Sequence, residues 1–294
     1  MLTVSEITKH YGDRTALDNV SFNVERGRLT GFVGGNGAGK TTAMRIILGL
    51  LERDGGEVTL DGAPLTSTQR RTFGYMPEER GLYPKMKVLE QITYLARLHG
   101  FDKPAAEKKA RGILEELGLG ERLSDPIEAL SLGNQQRAQI AAALVHDADV
   151  LILDEPFSGL DPMAVETVVA VLHERARQGA AVLFSSHQLD VVERLCDDLV
   201  IIAAGSVRAA GDREGIRAEH SSNRYELVSS GDAGWLREEP GVAVIEFDTG
   251  RAVFDVDGAE TAQRVLRRSV AEGSVTSFAP QHPSLAQIFK EVVR

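Results

Sequence analysis

The sequence predicts an α/β fold followed by a small α+β unit, and three observations carry that prediction. The runs VLIL (150–153) and AVLF (181–184) are apolar at every position, as strands of a parallel sheet are when both faces are covered. Between them, PMAVETVVAVLHERAR (162–177) places Val165, Val168, Val169, Leu172 and Ala176 on one helical face, so the two strands are predicted to be parallel and joined by a helical crossover. A glycine-rich run, GGNGAGKT (34–41), separates a predicted strand from a predicted helix, which is the local order of a phosphate-binding loop.

From the N-terminus, LTVSEITKHY, LDNVSFNVE and LTGFVG read as short strands, KTTAMRIILGLL as a helix and GEVTLDG as a further strand. A strand FGYMP then opens a mainly helical stretch, about residues 80–147, with VLEQITYLARLH, AAEKKARGILEELG and GNQQRAQIAAALV each placing apolar residues three and four apart. Strand and helix alternate again through VLIL, PMAVETVVAVLHERAR, AAVLFS, LDVVERL and LVIIAA. Beyond about residue 218 the pattern changes to short alternating strands, YELVSS, VAVIEF and AVFDV, with a hairpin turn expected at the DTG junction (248–250). Two helices, ETAQRVLRRSVAE and LAQIFKEVV, come last. The expected division is a larger domain over residues 1–218 and a small α+β accessory domain over 219–294.

Composition limits the function. Hydrophobic residues make up 43% and charged residues 26% of the 294, which is globular rather than disordered. The formal net charge of −10 repels polyanions, so no nucleic-acid partner is expected and any phosphate site must be a local device. The single cysteine, Cys196, cannot close an intramolecular disulfide and fits no zinc spacing. No apolar run approaches the roughly 18 residues of a membrane-spanning helix, and the polar N-terminal stretch does not read as an export signal. The chain is expected to be neither exported nor membrane-spanning.

GGNGAGKT satisfies the P-loop pattern G-x-x-x-x-G-K-[ST]. Glycines let successive N–H groups face phosphate oxygens, and the following helix N-terminus adds positive potential. Gly34, Asn36, Gly37, Ala38, Gly39 and Thr42 are therefore assigned to a nucleotide cradle, Lys40 to the β- and γ-phosphates, and Thr41 to Mg²⁺. VLILDE ends an apolar strand in two carboxylates, at the edge where α/β sheets bind ligands. Asp154 is assigned to Mg²⁺, and Glu155 to orienting and deprotonating a water in line with the γ-phosphate.

With these motifs the chain resembles the ATP-binding subunit of ABC transporters over about residues 1–215. LSLGNQQR (130–137), just upstream of VLILDE, is similar to that family's signature motif. There the Ser131 hydroxyl and Gly133 N–H, with Asn134 beside them, can meet a γ-phosphate at a helix N-terminus; a serine that only caps its helix is the plainer alternative. SGLD, ending at Asp161, is similar to the family's D-loop, and His187, after AVLF, to its switch histidine. Tyr11 falls where the family places a ring that stacks on adenine, although an aromatic in an edge strand also serves in packing. The fold implied by the resemblance is a P-loop NTPase of the ABC type with a helical subdomain. The implied activity is ATP hydrolysis with ATP and Mg²⁺.

Three departures from the family pattern stand out. Gly35 replaces a common proline, which leaves the loop less pre-organised. Leu132 and Asn134 replace the usual glycine and glutamine of the signature, while Ser131 and Gly133 are kept. Glu78 stands where a glutamine is usual after FGYMP, bringing a further negative charge beside a triphosphate.

In this family the signature completes the ATP site of a second subunit, so the resemblance implies a head-to-tail pair of ATP-binding subunits, here a homodimer. It also implies an integral-membrane permease partner and a cytoplasmic position, peripheral on the inner face of the cell membrane. GYMPEERGLYPKMKVLEQI and the extra C-terminal domain are closest to bacterial exporters of the ABC-2 type, the group with sodium-efflux and drug-resistance systems. The alternative is a soluble ABC ATPase acting on ribosomes or DNA. Such relatives carry two ATP-binding halves or long coiled coils, and this acidic chain has neither.

Overall fold

The structure, a computed structural model, describes residues 1–220, 223–248, 250–281 and 283–293. It divides into two compact units. One is formed by Met1–Arg213 with the last residues of the chain, the other by Glu214–Glu291.

In the first unit β1 (Leu2–Tyr11) and β2 (Arg14–Val24) form an antiparallel hairpin. β3 (Leu29–Val33) leads through the glycine loop into α1 (Lys40–Ile47). β4 (Gly55–Leu60), β5 (Ala63–Pro64), α2 (Ser67–Arg70) and β6 (Gly74–Met76) follow. The helical stretch is α3 (Val88–Leu98), α4 (Lys103–Glu116) and α5 (Leu132–Leu144). β7 (Val150–Leu153), α6 (Pro162–Arg177), β8 (Ala181–Ser186), α7 (Leu189–Leu195), β9 (Asp198–Ala203) and β10 (Ser206–Asp212) complete the unit.

These strands make two sheets, an antiparallel one in the order β2-β1-β4-β5 and a six-stranded one in the order β10-β9-β3-β8-β7-β6. The second is parallel except for β10. β7 and β8 are parallel neighbours joined through α6, and every residue of both is buried, as the apolar runs VLIL and AVLF require. One continuous core joins Val4 and Ile7 of β1, Phe22 of β2, Met44 and Ile47 of α1, and Phe32, Ile152 and Leu183 of the parallel sheet. α1 therefore lies in a layer shared with both sheets.

Local patterning differs from the result at identifiable places. The helix expected to run through Leu51 stops at Ile47, because the chain enters the left-handed region at Gly49 (φ 71), a residue that takes this conformation without a Cβ penalty. β10 escapes the sequence pattern because SVRAAGD is sparse in apolar residues. It forms the edge strand of its sheet. The opening strands fall in a separate antiparallel sheet, which periodicity does not distinguish from the parallel one.

After α8 (Arg213–Glu219), the second unit contains β11 (Arg224–Ser229), β12 (Val242–Asp248), β13 (Arg251–Val256), α9 (Ala259–Glu272), β14 (Val275–Pro280) and α10 (Leu285–Val292). Its sheet is antiparallel in the order β12-β13-β11-β14, with Leu227, Leu236, Phe254 and Val265 in one core. β12 and β13 pair as the expected hairpin, while Thr249 of the DTG junction lies outside the described residues. β14, another edge strand, was not anticipated from SVTSFAP.

Among the described residues no helix is long and apolar enough to cross a membrane. Cys196 is buried, and that burial pushes its thiol up to about 12, so it stays protonated and inert.

Candidate functional site

β3 lies between β9 and β8 in the six-stranded sheet, and the glycine loop leaves it at the carboxyl edge, where such sheets bind ligands. Gly39, before α1, has φ 111, and a Cβ there would lie 2.6 Å from Leu17 Cδ2 and 2.9 Å from the Ala16 carbonyl oxygen. Conformation and space thus both require glycine. No side chain caps α1, which leaves its first N–H groups available to an anion. The Lys40 ammonium is buried and donates to the carbonyl oxygens of Gly34 (2.6 Å) and Gly35 (3.4 Å).

A cavity of about 370 Å³ opens over this loop. Its lining includes twelve residues singled out in the sequence: Tyr11, Gly35, Asn36, Gly37, Ala38, Gly39, Lys40, Thr41, Thr42, Glu78, Asp154 and Glu155. Asp154, at the end of β7, is 2% exposed. Its Oδ2 accepts from Thr41 Oγ1 at 3.0 Å and its Oδ1 from Ser185 Oγ at 2.5 Å. Burial first, and the Asp154 charge second, push the nearby Tyr75 phenol above its ordinary value.

Glu155 has φ 52, a left-handed conformation that costs a non-glycine residue about 1–3 kcal/mol and persists only where neighbours enforce it. They do so at both of its peptide groups. Its N–H donates to Ser185 Oγ (2.8 Å), and its carbonyl accepts from Gln136 Nε2 (3.0 Å) and the Ser158 N–H (3.2 Å). The Glu155 carboxylate lies with Oε2 3.0 Å from His187 Nδ1, and His187 itself is half-exposed.

The remaining sequence-predicted residues do not line the cavity. Gly34 supplies the carbonyl held by Lys40, and His187 reaches the site through Glu155. Ser131 caps α5, its hydroxyl accepting from the Asn134 N–H at 3.4 Å, so its own proton stays available for donation. The Asn134 side chain accepts from Arg137. Gly133 approaches the Gly159 carbonyl so closely that a Cβ would lie 3.3 Å from it. Asp161 caps α6 by accepting from the Ala164 N–H at 2.9 Å. Ser131, Gly133, Asn134 and Asp161 thus belong to a second cluster, where the start of α5 meets the 158–161 loop.

Sequence reasoning missed Arg14 and Ala16, which line the cavity from the β1–β2 hairpin, and Ser185, which bridges the two acids. It also missed two glutamines of α5. Arg14 Nη2 is 3.8 Å from where a Gly37 Cβ would stand; its proximity to Tyr11 in the sequence was the available signal.

Residues 17–158 match the family described as ABC transporter, and residues 211–293 match that described as ATP-binding protein DrrA1-3-like, C-terminal domain. The chain is 36% identical over 293 residues to YhaQ of Bacillus subtilis, an uncharacterised ABC transporter ATP-binding protein, covering 100% of this chain and 98% of that one. It is 36% identical over 214 residues to the Nod factor export ATP-binding protein I of Ralstonia nicotianae, covering 72% and 67% respectively. A solved structure of the ATP-binding subunit of an ABC transporter superposes with a TM-score of 0.69 at 34% identity, covering 74% of this chain and 92% of that one. On this likeness and a P-loop site that agrees with it, the chain belongs to the ATP-binding proteins of ABC transporters, the subunits that hydrolyse ATP for transport.

Proposed function

We propose that this chain drives export through a separate integral-membrane permease, as a head-to-tail pair of identical copies that close over two ATP molecules and reopen on hydrolysis. The observation that carries this reading is the split of the site. The P-loop, Asp154 and Glu155 line one cavity, whereas Ser131 and Gly133 stand at another cluster of the same unit. One copy therefore offers two half-sites, and a second copy supplies what each lacks. A relative named for Nod factor export supports export.

The chemistry follows from the residues. Tyr11 offers a ring face to adenine and Arg14 a charge near the loop. The loop N–H groups, the α1 N-terminus and Lys40 hold the phosphates. The Thr41 hydroxyl and Asp154 carboxylate, 3.0 Å apart, are hard oxygen donors that fit Mg²⁺. That ion, when bound with ATP, neutralises charge on the transferring phosphoryl group. Glu155 polarises the attacking water, and His187 orients the Glu155 carboxylate. The Ser131 hydroxyl and Gly133 N–H of the opposing copy donate to the γ-phosphate, so its loss removes the contacts that hold the pair closed.

Affinity capture of the tagged chain from gently solubilised membranes in the presence of ATP, followed by mass spectrometry, tests the reading. It is expected to recover one polytopic membrane protein in stoichiometric amount, which would place the chain at the membrane through that partner. Recovery of ribosomal or DNA-repair proteins from the soluble fraction instead would overturn it.

A further inference from the structure

We propose that Gln136 and Gln139, three residues apart on α5, are positioning residues that hold both acidic loops of the nucleotide pocket from one helix. Gln139 Nε2 donates to the carbonyl oxygens of Pro77 (2.7 Å) and Glu79 (3.1 Å), which flank Glu78. One amide group thus fixes the backbone on both sides of Glu78, leaving only side-chain torsions to place that carboxylate in the cavity. Gln136 Nε2 holds the other loop on the C-terminal side of its acid, donating to the carbonyl oxygens of Glu155 (3.0 Å) and Pro156 (3.2 Å). Residues at this spacing share a helix face.

Packing alone does not explain an amide at position 139. Gln139 is 4% exposed, and its Oε1 has no partner among the described residues. A leucine or methionine would fill the volume without burying an unpaired acceptor. The opposite amide orientation would set Oε1 against two carbonyl oxygens, so the two donors define the residue's role. α5 is itself seated tightly on the sheet. It packs on β6 and β7, and a Cβ on Gly74 of β6 would collide with the Ala143 carbonyl oxygen.

The consequence is mechanical. α5 begins at Ser131, where the opposing copy's nucleotide is met in the proposed function, and its buried face grips the loops of Glu78 and Glu155. Engagement at the α5 N-terminus therefore reaches the loops of Glu78 and Glu155 in its own pocket together. This inference rests on the reading that Glu78 and Glu155 face the bound nucleotide.

Steady-state ATP hydrolysis by the full-length chain in a Mg²⁺ titration tests it, using Gln139→Leu, Gln139→Met, Glu78→Ala and the double variant Glu78→Ala/Gln139→Leu. Each Gln139 variant is expected to lower kcat about ten-fold and shift the Mg²⁺ requirement, with KM for ATP within about three-fold. Because Gln139 acts through Glu78, the double variant is expected to be no slower than Glu78→Ala alone. Multiplicative losses in the double variant, or a wild-type rate in Gln139→Met, would overturn the clamp. Unchanged kcat and Mg²⁺ requirement in Glu78→Ala would instead overturn the placement of Glu78 at the nucleotide, and the clamp with it.

Discussion

Asp154 in the first unit and Glu239 in the second are carboxylates only 2% and 8% exposed, and the protein treats them in opposite ways. Glu239 is met by two arginines, Arg264 Nε at 2.7 Å and Arg268 Nη1 at 2.8 Å, the latter stacked 4.2 Å above the Trp235 ring centroid. The Arg264 hydrogen bond foremost holds the Glu239 carboxyl below its usual range. Asp154 receives only hydroxyls, from Thr41 and Ser185, and among the described residues no cationic side chain forms an ion pair with it. A buried charge that is already neutralised is architecture. One that has hydrogen-bond donors but no countercharge is poised for a cation that arrives with a ligand.

The largest expected effect separates the two carboxylates most sharply. Asp154→Asn is expected to lower ATP turnover about 1,000-fold while leaving Tm in metal-free buffer unchanged or raised, since an uncompensated buried charge is removed and both hydroxyls can re-pair with the amide. Paired ATPase and calorimetric measurements check it; a clear loss of Tm would show that Asp154 holds the fold together as Glu239 does. Glu155→Gln is expected to cost about 100-fold or more in turnover with ATP binding retained. Light scattering should then show an ATP-dependent dimer that no longer dissociates.

Glu239→Gln reverses that pattern. Arg264 and Arg268 remain half-exposed and can solvate themselves, so the second unit should lose only about 1–2 kcal/mol of stability, read by denaturant titration of Trp235 fluorescence. ATP turnover should not change.

The smallest effect is pH dependence, which should divide the units. His146 stacks on His99 at 3.6 Å in the first unit, and burial first, His99 second, pull it from 6.5 down to about 4. In that window the unfolded chain binds a proton that the folded chain refuses, so the first unit should lose stability as pH falls from 6.5 toward 4. Glu239, with a lowered folded value, contributes stability that is complete above its ordinary 4.5 and is lost only as pH falls through the lower folded value. Acid titration followed by hydrogen exchange should therefore open the first unit before the second, and His146→Phe should narrow the gap.

Much of the site was legible in the sequence because it is local chemistry. The glycine loop, Lys40 and Thr41 form one uninterrupted run, and VLILDE carries its strand and both acids together. Arg14 had only its nearness to Tyr11 in the sequence to mark it, since no local pattern says that the β1–β2 hairpin reaches the glycine loop. Ser185 looked like the end of an apolar strand, yet it ties Asp154 to the Glu155 backbone because β8 is the parallel neighbour of β7. Nothing local to Arg264 and Arg268 on α9 points to Glu239, distant in sequence, which accepts from both.

By itself the sequence determined the α/β class, the phosphate loop, the two acids that follow β7 and the family to which they belong. Each of these depends on residue type and short-range periodicity. Only the tertiary structure decided that β1, β2, β4 and β5 form a sheet of their own while β3 joins the parallel one. It alone placed Gln136 and Gln139 on the acidic loops. Strand order, and the reach of a side chain from one element to another, are set by how buried surfaces fit together, which no window along the chain contains.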